Sequence, residues 1–292
     1  MQSDLVNGEL ELLFTGTEWA EGPVWVPSSQ TVRWSDIPNN RILEFDPATR
    51  QTREYATAVE FTNGRTLDRD GSVVQCSHGR RRVERERDGL VTSLVDSFEG
   101  RRLNSPNDVV VARDGTIWFT DPPYGILPGT KEGHEAEQEY GGCYVFRFDP
   151  ERRTLTAAVT DMVHPNGLAF SPDESLLYVA DTAGPSRGVL LRIAAYDVLG
   201  GECSGGRTFV EFNDGDAADG FRVDAAGRIW TSAGRSVRVF SPAAELLAHI
   251  DVPETVANVC FGGPDGQDLY ITATTSLYRV RTTTTDAVRL TG

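Results

Sequence analysis

Two carboxylates and four amides recur along the sequence in one local setting, each opening a short apolar run: Glu21 in EGPVW, Asn63 in NGRTL, Asn107 in NDVVV, Asn166 in NGLAF, Asp219 in DGFRV and Asn258 in NVCFG. All six side chains offer hard oxygen donors. Gathered on one axis, their oxygens would repel or stay unsatisfied unless a cation sat among them. An all-oxygen set holding only two anions is the ligand pattern of Ca²⁺, the first expectation here, with Mg²⁺ or Mn²⁺ next. Zn²⁺, a further possibility, favours His or Cys. His78, His134, His164 and His249 show no H-x-x-x-H spacing, and Cys76, Cys143, Cys203 and Cys260 contain no C-x-x-C pair. The plainer alternative is that each Asn or Asp serves a turn ahead of a strand; six in register weigh against it.

The segments that must position these residues repeat about every 40–60 residues, the spacing of propeller blades. Each apolar run is followed by a turn: Ser28-Ser29, Asp70-Gly71, Asp114-Gly115, Pro172-Asp173, Ala226-Gly227 and Asp265-Gly266. Each then returns through a strand with a bulky residue near its middle, namely Trp34, Val74, Trp118, Tyr178, Trp230 and Tyr270. Such residues suit a half-buried pleated surface and are read as core. Two further strands follow each hairpin, as at Arg41 to Phe45 and Thr52 to Tyr55. The pattern predicts an all-β fold, a six-bladed β-propeller with four antiparallel strands per blade, spanning 1–292 as one domain. The segments Leu10 to Phe14 and Ala287 to Leu290 are expected to pair and close the ring, removing an open sheet edge. In such a fold the innermost strands line the axis, so the six repeat starts form a ring. The ends of the return strands lie at the same face: Asp36, Asp121 and Asp181, with Ser77-His78 at the matching place in the second blade. They are expected to orient the ring amides.

The formal net charge of −15 argues against nucleic acid or an anionic membrane as partner. No basic stretch followed by an apolar run opens the chain, so a cytoplasmic protein with reduced thiols is expected. Two motif matches are discounted. Gly184 to Gly188 fits G-x-S-x-G without a strand-turn-helix context, and NDGDAADG at 213–220 lacks the helices and glycine position of a calcium-binding hand. The stretch 122–142, acidic and glycine-containing, is long for a loop within a blade and is either a lid or a solvated excursion.

The phrases EGPVW at 21–25, CSHGRRRVER at 76–85, LNSPNDVVVARDGTIWFTDPPYG at 103–125, HPNGLAFSPDESLLYVADT at 164–182 and ADGFRVDAAGRIW at 218–230 span most of the chain, which resembles the SMP-30/gluconolactonase/luciferin-regenerating family. The resemblance implies one divalent cation held by Glu21, Asn107, Asn166 and Asp219, and a small aldonolactone as substrate. Asp219, or else Glu21, would then be both ligand and base. Asn63, His78, Asn104 and Tyr124 are the expected substrate-side residues. Animal members resemble R-x-N-D-G at the third blade start, whereas Ser105 stands here in NSPND; Arg101, Arg102 and Asn104 are the candidates to compensate. Two alternatives remain: a phosphotriesterase-like hydrolase on the same constellation, and a binding propeller whose ion is structural. The oligomeric state stays open.

Overall fold

Turn residues and period-two alternation produce one hairpin after another along this chain. At Asp114-Gly115, for example, Gly115 adopts φ +85 with open space where a Cβ would be, and the Thr116 amide and hydroxyl both donate to Asp114 Oδ1. A computed structural model describes residues 4–288. Among them stand six four-stranded antiparallel sheets, an all-β architecture interrupted only by a small hairpin, Ser97–Phe98 with Arg101–Arg102, and two single 3-10 turns, Tyr124–Ile126 and Pro185–Arg187. No helix among the described residues is long and apolar enough to cross a membrane.

The first sheet runs Ala20–Val26, Thr31–Asp36, Arg41–Asp46 and Gln51–Thr57 from inside outward. The inner strands of the next five are Thr62–Leu67, Val109–Val111, Pro165–Phe170, Phe221–Val223 and Val256–Gly262. Each inner strand touches the next, and the last returns to the first, so the sheets close around an axis as a six-bladed β-propeller. In the sixth blade the outermost strand is Glu11–Thr15, from the opposite end of the sequence, paired with Ser276–Arg281. The ring is therefore closed by N- and C-terminal strands, the C-terminal one being Ser276–Arg281 and not, as expected, one that includes Ala287 and Val288. Asp286 instead bridges Asp224, and the Ala287 amide donates to Val223 O in the fifth blade. Residues 289 and 290 lie outside the described part.

The apolar core sits between neighbouring blades. Val74 and Val83 of the second blade pack with Val109, Phe119 and Phe146 of the third, and Trp230 and Val239 of the fifth with Phe261 and Leu269 of the sixth. Trp34, Trp118, Trp230 and Tyr270 are among the largest fully buried side chains. Burying a side chain of roughly 200 Å² at about 25 cal/mol per Å² contributes on the order of 5 kcal/mol before entropy is counted. That packing makes the ring rigid enough to hold six strand starts in register.

Candidate active site

In four of the six blades the inner strand carries an irregularity in its ladder at or beside the ring residue. The pairing register shifts between Glu21 and Val24, Thr62 and Arg65, Pro165 and Leu168, and Val256 and Asn258. In the third and fifth blades the ladder starts only after the polar residue, with the Asn107 amide donating to Thr120 O and the Asp219 amide to Ser232 Oγ. Bulges of this kind re-aim side chains beside functional sites.

The return strand then grips the chain three residues ahead of the ring position. Glu18 N donates to Asp36 Oδ1 at 2.9 Å, Asn104 N to Asp121 Oδ2 at 2.7 Å, and Val163 N to Asp181 Oδ2 at 3.1 Å, with His164 N also on Asp181. In the second blade Ser77 Oγ donates to Glu60 O, and in the sixth Thr274 N donates to Thr255 O. These Asp residues were expected to orient the ring amides; they hold backbone instead. Asp181→Ala leaves three amides, those of Val163, His164 and Ala183, without their charged acceptor, so a loss of about 3 kcal/mol is expected, read as a lower urea midpoint at constant slope. A loss below about 0.5 kcal/mol would show that the grip is dispensable.

Neighbouring starts are stitched together around the axis. Gly64 N donates to Asn107 O, Gly167 N to Asp219 O and Gly220 N to Ala257 O. The approach leaves no room for a side chain: a Cβ on Gly22 would lie 2.3 Å from Asn63 O, and one on Gly167 2.3 Å from Asp219 O. The space that Gly64 leaves open is filled by Asp108, whose Oδ1 would lie 2.5 Å from such a Cβ.

A cavity of about 480 Å³ opens at these starts, lined by Glu21, Asn63, Asn107, Asn166 and Asp219 with Tyr124 and Glu132. Its size falls within the roughly 300–1,000 Å³ of small-molecule sites. A second cavity, about 440 Å³, lies at the other ends of the inner strands; its walls are mainly apolar, and its charged groups are Arg65, Arg222 and Asp286. The acids of the first cavity are strongly perturbed. Burial, then repulsion from Asp219 and Asp108, raises the Glu21 carboxyl well above the usual range. Burial, then Glu132 and Asp108, pushes Asp219 up to about 7, partly offset by the Asn166 amide. Asp108 is itself raised by burial and opposed by Arg222, 3.6 Å away.

The sequence-predicted residues separate here. Glu21, Asn107, Asn166, Asp219, Asn63 and Tyr124 share the cavity. Asn258 is buried beside it, within hydrogen-bonding reach of Glu21 and Asp108. Tyr124 places its hydroxyl against Thr182 and its ring edge-on to His164. His78 is fully buried and does not line the cavity. Its Nδ1 lies 3.0 Å from Glu132 O, a group that only accepts, so Nδ1 carries the proton and Nε2 accepts from Asn63 Nδ2 at 3.1 Å. Burial lowers this imidazole to about 4, so a neutral His78 locks the Asn63 amide rather than meeting substrate or shuttling a proton. Asn104 also stands outside the cavity. Its Nδ2 lies about 3 Å from Asp121 O, Tyr140 Oη and Gly142 O, ties that knot the third blade start to the end of the 122–142 segment.

Two residues near the ring escaped the sequence reading. Asp108 occupies the place where four other blades carry glycine after the ring residue, a visible departure from the repeat. Glu132 had no such signal, since it lies in the excursion and reaches the cavity only through the fold.

Among the described residues no three His, Cys, Asp or Glu side chains gather as a metal-binding group; the ring positions on this wall supply two carboxylates and three amides. That donor set fits a hard divalent cation, because the carboxylates of Glu21 and Asp219, which repel each other, and the amide oxygens beside them lack any Lys or Arg on the cavity wall. Comparison with known proteins agrees with the geometry. The chain is similar to a gluconolactonase of Zymomonas mobilis, 33% identical over 96% of this chain and 83% of that protein. It is also similar to a pentonolactonase of Haloferax volcanii, 32% identical over 88% of this chain and 82% of that one. A solved gluconolactonase from Xanthomonas campestris superposes with a TM-score of 0.89 at 38% identity, covering 96% and 91% of the two chains. Residues 19–275, which contain every ring position, match the SMP-30/gluconolactonase/LRE-like region, and the chain belongs to that family.

Proposed function

We propose that this chain is a sugar lactonase that hydrolyses neutral aldonolactones with the help of one divalent cation, Ca²⁺ first, held by Glu21, Asn107, Asn166 and Asp219. The observation that carries this reading is the meeting of two carboxylates from the first and fifth blades, Glu21 buried and Asp219 half-buried, with three amides on one cavity wall. Relatives that are gluconolactonases and a pentonolactonase support the substrate class. When bound, such an ion supplies Lewis-acid polarisation of a carbonyl and acidifies a water.

The chain's own groups handle orientation and protons. Asp219 accepts a proton from the attacking water at a carboxylate oxygen as the new C–O bond forms at the lactone carbon. The ring C–O bond then breaks, and the same proton passes to the departing ring oxygen, which leaves as the hydroxyl of the open-chain acid. Glu21 is the second candidate for this task. Asn63, with Nδ2 committed to His78, keeps its Oδ1 as the free end of the amide. Tyr124 and Thr182 wall the side of the cavity toward the fourth blade.

Metal removal tests the reading. Chelation is expected to abolish hydrolysis of gluconolactone in a pH-indicator assay while the β circular dichroism persists, and Ca²⁺ should restore activity. At a hundredfold excess over its dissociation constant the ion is expected to stabilise the fold by about 2.7 kcal/mol. Full activity in chelator would overturn the metal-dependent mechanism, and loss of folding would favour a structural ion. Running an organophosphate triester alongside the lactone separates the phosphotriesterase-like alternative.

A further inference from the structure

The segment between the strands Ile117–Thr120 and Val145–Asp149 lies along the cavity and is anchored on several blades. Lys131 Nζ pairs with Glu18 at 2.8 Å, and His134 Nε2 lies 3.0 Å from Glu60 Oε2. The peptide of Glu132 is held on both sides, its carbonyl accepting from His78 Nδ1 and its amide donating to Thr130 Oγ1 at 3.1 Å. Gly133 follows so tightly that a Cβ there would lie 2.1 Å from Gly125 O. The backbone at Glu132 is thus clamped, and the residue lines the cavity beside Asp219 and Tyr124.

Its carboxylate has no hydrogen bond or ion pair among the described residues. Asp216, the other acid on the wall, is engaged by Arg238. No Lys or Arg lines this cavity. A divalent cation would offset Glu21 and Asp219, which leaves Glu132, its carboxyl raised by burial, as the acid that faces a bound substrate without a cationic partner. Such a group accepts hydrogen bonds from hydroxyls and repels a second anion, an effect on the order of 100-fold for charges a few ångströms apart in a partly buried site.

Resting on the lactonase reading, we infer that Glu132 is a specificity-determining residue: it binds hydroxyls of electrically neutral polyhydroxy lactones and excludes lactones that carry a phosphate, sulfonate or extra carboxylate.

The test compares glucono-1,5-lactone with its 6-phosphate, at saturating Ca²⁺ and constant pH, in the wild type, Glu132→Gln and Glu132→Lys. The wild type should favour the neutral lactone by about 100-fold in kcat/KM. Glu132→Gln should lower kcat/KM for the neutral lactone by about threefold to tenfold, through KM, while raising it at least about tenfold for the phosphorylated one. Glu132→Lys should shift the ratio further in the same direction. An active wild type whose preference stays unchanged in both variants overturns the inference alone, as does an equal loss on both substrates. A folded wild type inactive on both lactones overturns the lactonase reading and this inference with it.

Discussion

Asp219→Asn and Asp219→Ala are expected to lower kcat/KM for gluconolactone by about 10⁴-fold or more, since each removes a cation ligand and the group proposed to carry the proton. The loss should appear in kcat, and calorimetry should show weakened Ca²⁺ binding. The fold should survive. Asp219 is half-buried on the wall that also carries Glu21, and its charge raises the cost of ionising Glu21, so deleting it relieves repulsion in the cation-free chain. In chelator both variants should melt at or above the wild-type temperature. Retention of a tenth of wild-type turnover would remove Asp219 from the proton-transfer role and leave Glu21 as the base. Melting well below wild type in chelator would show that the pair is not in conflict.

The second large effect is expected from a methyl group. Gly167→Ala places a Cβ 2.3 Å from Asp219 O and 2.9 Å from Gly220 Cα, both backbone atoms of the next blade, at the point where Gly167 N donates to Asp219 O at 2.9 Å. Neither neighbour can rotate away, so the inner strands must separate. Overpacking of this kind costs about 3 kcal/mol or more where the backbone must move. Displacing the Asp219 backbone should also reduce lactone turnover by about 100-fold or more. Gly115→Ala is the matched control. It also sits in a repeat of the motif, but open space surrounds it, so only its φ of +85 opposes the change, at about 1–2 kcal/mol, with turnover unaffected. Equal stability of Gly167→Ala and wild type would mean that the blades are not stitched as tightly as described.

Much of this architecture was legible before any coordinate. The hairpin turns and the bulky residues from Trp34 to Tyr270 recur because each blade solves the same burial problem, so the repeat exposes itself in one dimension. The ring of starts was legible for the same reason: Glu21, Asn63, Asn107, Asn166 and Asp219 hold equivalent places in equivalent units, and equivalent units related by an axis bring equivalent residues together. Where the reading went astray, a contact ran between units that are not equivalent. The ring closes through Glu11–Thr15 and Ser276–Arg281, while Ala287 joins the fifth blade, because closure depends on which edge is left open after six blades. His78 and Asn104 shared a face with the site, yet His78 Nδ1 was claimed by Glu132 O and Asn104 Nδ2 by Asp121 O and the end of the 122–142 segment.

The amino-acid order by itself determined the number of blades, the strand directions and the identity of the oxygen donors, since these follow from local periodicity and turn chemistry that each segment carries alone. Only the tertiary structure decided which donors face the cavity, how Asp108 fills the place left by Gly64, and that Glu132 is delivered to the wall by a clamp on His78. Those outcomes depend on inter-blade distances of a few ångströms, set by packing among residues far apart in the chain, and no single segment contains that information.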